Sequence, residues 1–270
     1  MKRLAFLIFI IYCGCNSEMV KSRQELSQIE NQYFFEDKPF NGYLVQHRDM
    51  GYYFSKSIVK NGFLNGKAEY FYENGNLERV ENYNQNKKQG IADHFFENKR
   101  IHKKLNYKNN SKSGYYSEWL IDKNPLLYGH YENDIPVKTW YYLIENDTIL
   151  IETLDANGGL LELQTSSPFQ LEKIAFNDTL TVIISDSHQN QIFEGRYVHR
   201  LKDGTLKFHH KNATVTLNYT ENLKEGEFRF EKNNKVFMRG NFKNDLMEGR
   251  WEILDENKFE SINYKNGRLY

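Results

Sequence analysis

An all-β chain of tandem antiparallel β-hairpins, added one after another into an elongated twisted sheet, is predicted by three observations. Gly42, Gly66, Gly90 and Gly114 recur at a constant step of 24 residues. Tyr83, Tyr107 and Tyr131 keep the same step, each seventeen residues after its glycine. The chain is very polar, with a mean hydropathy of −0.76, yet 19 Tyr and 19 Phe help to lift the aromatic share to 15%. A fixed period of about 20–50 residues marks a repeat architecture. Tyrosine can bury its ring and keep its hydroxyl wet, so this composition suits a thin sheet better than a thick aliphatic core.

The first element is an address. Met1-Lys2-Arg3 gives a short positive head, Leu4–Tyr12 is an unbroken apolar run, and Gly14-Cys15 closes it before the chain turns polar at Asn16. A spanning helix needs about 20 apolar residues; this run is too short and has the layout of a secretory signal. A small residue before a cysteine at that point resembles a lipobox, with Tyr12 and Cys13 standing where leucine and a smaller residue are usual. On that reading residues 1–15 are a signal peptide ending at Cys15, which becomes the lipidated first residue of the mature protein. Each buried CH₂ contributes about 0.8 kcal/mol, so several acyl chains would hold the protein on a bacterial membrane. Residues 16–32 read as a polar tether. Cys13 is the one other cysteine, so the body of the chain carries no disulfide framework, thiolate metal site or catalytic thiol.

Residues 33–147 hold the N-terminal repeats. Nine residues after each marker glycine comes a turn signal, as in Glu73-Asn74-Gly75 and Glu97-Asn98-Lys99. A second polar cluster, such as Asn84-Gln85-Asn86 or Lys108-Asn109-Asn110, precedes the next marker. Each unit is therefore strand, turn, strand, turn. At the fifth marker Lys138 replaces the glycine while its neighbourhood is kept. The marker glycines read as turn or bulge positions with positive φ or close backbone approach. Offsets +2, +4 and +6 from the marker, as in Ala68-Tyr70-Tyr72 and Trp140-Tyr142-Ile144, are mostly apolar and share one strand face. Offset +5 breaks the alternation with Phe71, Phe95 and Trp119, which makes those rings candidates for a binding face on the other side.

Residues 148–194 fall out of period and read as an irregular β-meander, punctuated by Asn157-Gly158-Gly159, Ser166-Ser167-Pro168 and Asn177-Asp178. The pattern returns over 195–270. Gly226 and Gly249 are 23 residues apart, and Tyr219, Phe242 and Tyr264 continue the aromatic column. Gly195 with Tyr197 reads as the start of a further unit.

Tyrosine or another ring, a turn rich in Asn and Asp, Gly-x-aromatic and then an Asn-Gly turn is a pattern that Lys60-Asn61-Gly62 through Tyr72-Glu73-Asn74-Gly75, and Phe242–Trp251, approach most nearly. It resembles the bacterial variant of the MORN repeat (membrane occupation and recognition nexus), over residues 40–140 and 195–270. The resemblance implies MORN-like hairpins forming a scaffold or binding surface, and proteins with such repeats are often labelled antitoxin-like.

Lys+Arg and Asp+Glu both number 36, so no net field would recruit nucleic acid. The chain contains no G-x-G-x-x-G, phosphate-loop, H-E-x-x-H or G-x-S-x-G motif. His209 and His210 are adjacent and would point to opposite faces of a strand. The expectation is a non-catalytic lipoprotein of the cell envelope, without cofactor or metal, joined to the membrane through Cys15 and serving as a protein-binding or scaffold module. Glycan or peptidoglycan binding and an antitoxin-like partnership are the alternatives. A row of exposed aromatics would favour glycan, and a contiguous apolar patch would favour protein.

Overall fold

The computed structural model describes residues 19–47, 53–122, 124–255 and 258–269. Cys13, Cys15 and the signal segment lie outside the described residues.

Alternating side chains and turn residues at both strand ends let the chain build sheet by simple addition. From Gly42–His47 to Leu160–Gln164 each long strand pairs antiparallel with the long strand before it. This gives a thirteen-stranded sheet among the described residues, with Val20–Ser22 added in parallel at its edge. Gln170–Phe176 opens a second, eleven-stranded sheet that runs to Arg268–Leu269. No α-helix occurs among the described residues. The all-β hairpin architecture is as the repeat predicts.

Two turn chemistries alternate. One hairpin end is a two-residue loop with both φ angles positive, as at Asn109 (52°) and Asn110 (76°), the type I′ geometry whose twist matches the strands. The other is a three-residue loop such as Glu73-Asn74-Gly75, closed by the Tyr72 amide donating to the Asn76 carbonyl at 2.8 Å. The second residue of the tight turn also laces repeats together. Asn110 donates its amide to the Lys88 carbonyl (3.0 Å), and its side-chain oxygen accepts from the Lys88 amide (2.7 Å). Asp134 treats Lys112 in the same way, Asn222 treats Lys202, and Asp245 treats Lys224. Order is thereby passed from unit to unit, as in a quasi-one-dimensional array.

Gly42, Gly66, Gly90, Gly114, Gly226 and Gly249 all have positive φ, from +68° to +149°. Gly114 shows the reason. Leu105 pairs with Tyr116 and Tyr107 with Lys112, which leaves residues 113–115 opposite Asn106 alone. Such a bulge needs a residue that tolerates φ of +113°. Lys138 occupies the equivalent slip with φ of +61°, so the bulge persists where the glycine is lost. In the C-terminal run Gly204, at φ +92°, holds the marker place two residues after the laced Lys202, and Gly195 does not.

The two sheets lie face to face. Tyr142 stacks on Phe208 with centroids 5.8 Å apart, Lys112 meets Asp245 at 3.0 Å, and Tyr72 meets Tyr264. The late strands of the first sheet thus face the early strands of the second, and the chain doubles back along the layer it has built. The inward column Tyr116, Trp140, Phe228 and Trp251 is buried in one cluster that draws on both sheets. Removing those rings from water is worth about 25 cal/mol per Å², which the thin single sheet expected from composition would forfeit. Trp140 lies so close over Gly129 that a Cβ there would come within 2.2 Å of the ring. Within 148–194 the chain crosses between layers: Asp147–Leu154 and Leu160–Gln164 close the first sheet, and Gln170–Phe176 and Thr179–Ser185 open the second. In the stretch read as a tether, Val20–Ser22 is the parallel edge strand. Ser27–Ile29, Gln32–Phe35 and Lys38–Pro39 form a three-stranded sheet by a small core of Leu26, Phe40, Leu44 and Val59.

Candidate functional site: a charged row between the layers and an exposed ring patch

The +4 offset places Tyr70, His94, Glu118 and Tyr142 on the inward face, and strand register completes a row across the sheet. Tyr70 pairs with Arg79, Arg79 with His94, His94 with Lys103, Lys103 with Glu118, Glu118 with Leu127, and Leu127 with Tyr142. The middle of this row is closed off, with Arg79 6% and Glu118 3% exposed. Glu118 accepts from Tyr116 Oη at 2.8 Å and from Lys224 Nζ of the opposite layer. Lys103 Nζ is 3.4 Å from it and His102 Nε2 3.8 Å. Burial pushes the Glu118 carboxyl up, but Lys103, Lys224 and His102 together outweigh that and hold it below the usual carboxylate range. Burial, reinforced by Arg79, pulls the His94 imidazole down to about 3. His102 and Lys103 are lowered for the same first reason. The Nε2 of His94 is sealed from solvent and has no hydrogen-bond partner.

A second knot joins the layers further along. Glu152, fully buried, accepts from Tyr142 Oη (2.9 Å), from Lys202 Nζ (2.8 Å) and from Tyr197 Oη. The laced lysines also cover rings: Lys112 stands 4.4 Å from the Tyr131 centroid, Lys88 4.9 Å from Tyr107, and Lys224 5.1 Å from Phe242. A cavity of about 150 Å³ lies among these groups, lined by His94, His102, Lys103, Lys112, Lys224 and Tyr131 among others. The buried carboxylates Glu118 and Glu152 are engaged by lysine and phenol donors from both layers. That arrangement fixes how the layers sit on each other.

The outer face of the first sheet carries a different group. Tyr115 pairs across strands with His130 (centroids 4.0 Å), and Tyr128 stacks on Tyr141 (4.6 Å, 19°). Tyr115 is 71% and Tyr128 39% exposed. Burial first, and then Lys138, keeps the His130 imidazole below its ordinary range, which favours the uncharged ring. Ser117, Thr139 and Thr153 share this face through the register Ser117–Tyr128–Tyr141 and the neighbouring pair Thr139–Thr153. The four rings form one patch over three adjacent strands.

The +5 rings named from the sequence lie apart from this patch of four. Phe71, Phe95 and Trp119 are each half-buried at a slip in the strand register beside a turn, and Phe95 also lines the inner cavity. The marker glycines shape the backbone bulges and line neither the inner row nor the outer patch. Both groups left a trace in the repeat columns. His94 and Glu118 are polar residues in an otherwise apolar inward column, and Tyr115 and Tyr141 are rings in the more polar +1 and +3 columns. His210 binds Asp147 of the first sheet at 2.7 Å and His209 binds Thr214 at 2.7 Å. Among the described residues no group of three His, Cys, Asp or Glu is placed to hold a metal ion. No helix there is long and apolar enough to cross a membrane.

No protein-family model matches the chain, and no curated protein matches it.

Proposed function

We propose that this protein is a non-catalytic, membrane-tethered lipoprotein of the cell envelope whose MORN-like repeats act as a binding or scaffold module. The observation that carries the reading is the outer-face ring patch, with Tyr115 and Tyr128 exposed and His130 and Tyr141 half-buried beside them, on a two-layered support. Rings held by cross-strand neighbours lose little freedom when a partner covers them, and large flat side chains dominate recognition surfaces. A protein is the leading partner. The clustering of exposed rings among uncharged Ser117, Thr139 and Thr153 favours glycan as the second reading, because sugar faces pack on aromatic rings.

Capture from solubilised envelopes, with peptidoglycan sedimentation in parallel, tests both readings on the intact lipoprotein. The triple change Tyr115→Ala, Tyr128→Ala and Tyr141→Ala should abolish capture while the circular dichroism spectrum stays that of an intact sheet. Undiminished capture would rule out this face. The tether rests on Leu4–Tyr12 and Gly14-Cys15. Cys15→Ser should release the protein from membranes, and a wild-type mature N-terminus found anywhere but an acylated Cys15 would refute the anchor.

A further inference from the structure

We infer that the cavity between the two layers is a binding site for a small oxyanion, a carboxylate or phosphate group, held by Lys103, Lys224 and the Nε2 of His94. This site is independent of the outer ring patch. Three observations converge on it.

The first is the charge at Glu118. Lys103 and Lys224 both pair with this one carboxylate, so two ammonium groups share a single counter-ion in the middle of the row, where Lys112 is engaged by Asp245 and Lys202 by Glu152. A buried charge is costly unless it is paired, and an anion between Lys103 and Lys224 would give the second ammonium a counter-ion of its own.

The second is His94. Its Nε2 is closed from solvent without a partner and its ring lines the cavity beside Lys103, to which it is joined by strand register. Buried ring nitrogens are normally hydrogen-bonded. In the Nε2–H tautomer the neutral ring donates, so an acceptor oxygen satisfies it where a further cation would not. Burial holds the ring neutral at ordinary pH, which keeps one of its nitrogens a donor.

The third is space. The cavity of about 150 Å³ exceeds the roughly 30 Å³ share of one liquid water and accommodates an oxyanion with a small organic substituent. Tyr116, Tyr131 and Tyr219 line it, so phenol rings bound the space beside the cations.

Calorimetric titration of the full chain with inorganic phosphate, and separately with acetate, tests the site at constant ionic strength in chloride. Lys103→Met is the comparison variant. It leaves Lys224 and Glu118 one to one, so the same pairing expects it to fold. Saturable binding of either probe to the wild type, weakened at least tenfold in Lys103→Met, is the expected result, and the probe that responds identifies the group recognised. Excluded anions stabilise most proteins without saturating, and that response would be equal in both proteins. No saturable binding in the wild type, or equal affinity in Lys103→Met, overturns the proposal. Should the variant not fold, nuclear magnetic resonance of the wild-type imidazoles decides. A saturable shift of the His94 ring supports the site, and an unmoved His94 ring overturns it.

Discussion

Glu152→Gln should be among the most damaging single changes in this protein. The carboxylate lies in the first sheet, is fully buried, and accepts from Tyr142, Tyr197 and Lys202, the last two in the second sheet. Gln retains the shape and one acceptor but strips the counter-ion from Lys202, which is itself only 3% exposed. Stranding a buried charge in this way costs about 3–5 kcal/mol, against a usual total stability of about 5–15 kcal/mol. At about 2–4 °C per kcal/mol for a chain of this class, the melting temperature should fall by roughly 6–20 °C. Lys202→Met should also destabilise, because Glu152 then keeps only its two phenols. The double variant leaves neither charge unpaired, so its cost should fall short of the sum of the singles by about 2 kcal/mol, within the range for residues in contact. Urea melts followed by circular dichroism would measure all three. A Glu152→Gln variant within about 0.5 kcal/mol of wild type, the scale of a surface substitution, would refute the closed contact between the layers.

Acid should weaken the fold earlier than carboxylate titration alone would. His94 is lowered to about 3 from an ordinary 6.5, so the unfolded chain binds its proton first. Its contribution is whole above about pH 6.5 and is lost progressively toward pH 3, at about 1.4 kcal/mol per pH unit. That is about 2 kcal/mol between pH 6.5 and 5, and His102 acts in the same direction. Glu81 and Glu118 are lowered, so their loss begins below their ordinary 4.5, outside this window. Urea melts at pH 7, 6 and 5 should show the slope, and His94→Phe should reduce it; a flat wild-type profile would contradict the burial of these rings. Gly90→Val should destabilise by about 1–2 kcal/mol through backbone alone, since φ is +81° and a Cβ would meet nothing within 4 Å. Lys138→Gly should be neutral to stabilising by up to about 1 kcal/mol, because relief of φ +61° outweighs the flexibility glycine adds to the unfolded chain. Equal stability of Gly90→Val and wild type in denaturant would sink the bulge assignment.

Much of the fold is legible along the chain because hairpins are local. A turn of two residues is chosen by the φ preferences of Asn109-Asn110 or Asn244-Asp245, and the next strand can pair only with the strand just made. The marker step of 24 residues and the inward columns follow from the same local rules. The lacing of Asn110 to Lys88 was within reach too, as a polar residue held at constant offset from the next unit. What no local rule could supply is the partner of each inward face. Glu118 and Lys224 are 106 positions apart, and nothing in the neighbourhood of either names the other. A polar residue in an inward column, such as Glu118 or Glu152, is costly on a single sheet and acceptable only when the second layer brings a cation to it. The sequence by itself therefore determined the strands, the turns, the bulges and which face would be buried, since each depends on contacts between neighbouring units. Only the tertiary structure decided that the array doubles back and which lysine answers which carboxylate, because those outcomes depend on pairings between units far apart in the chain.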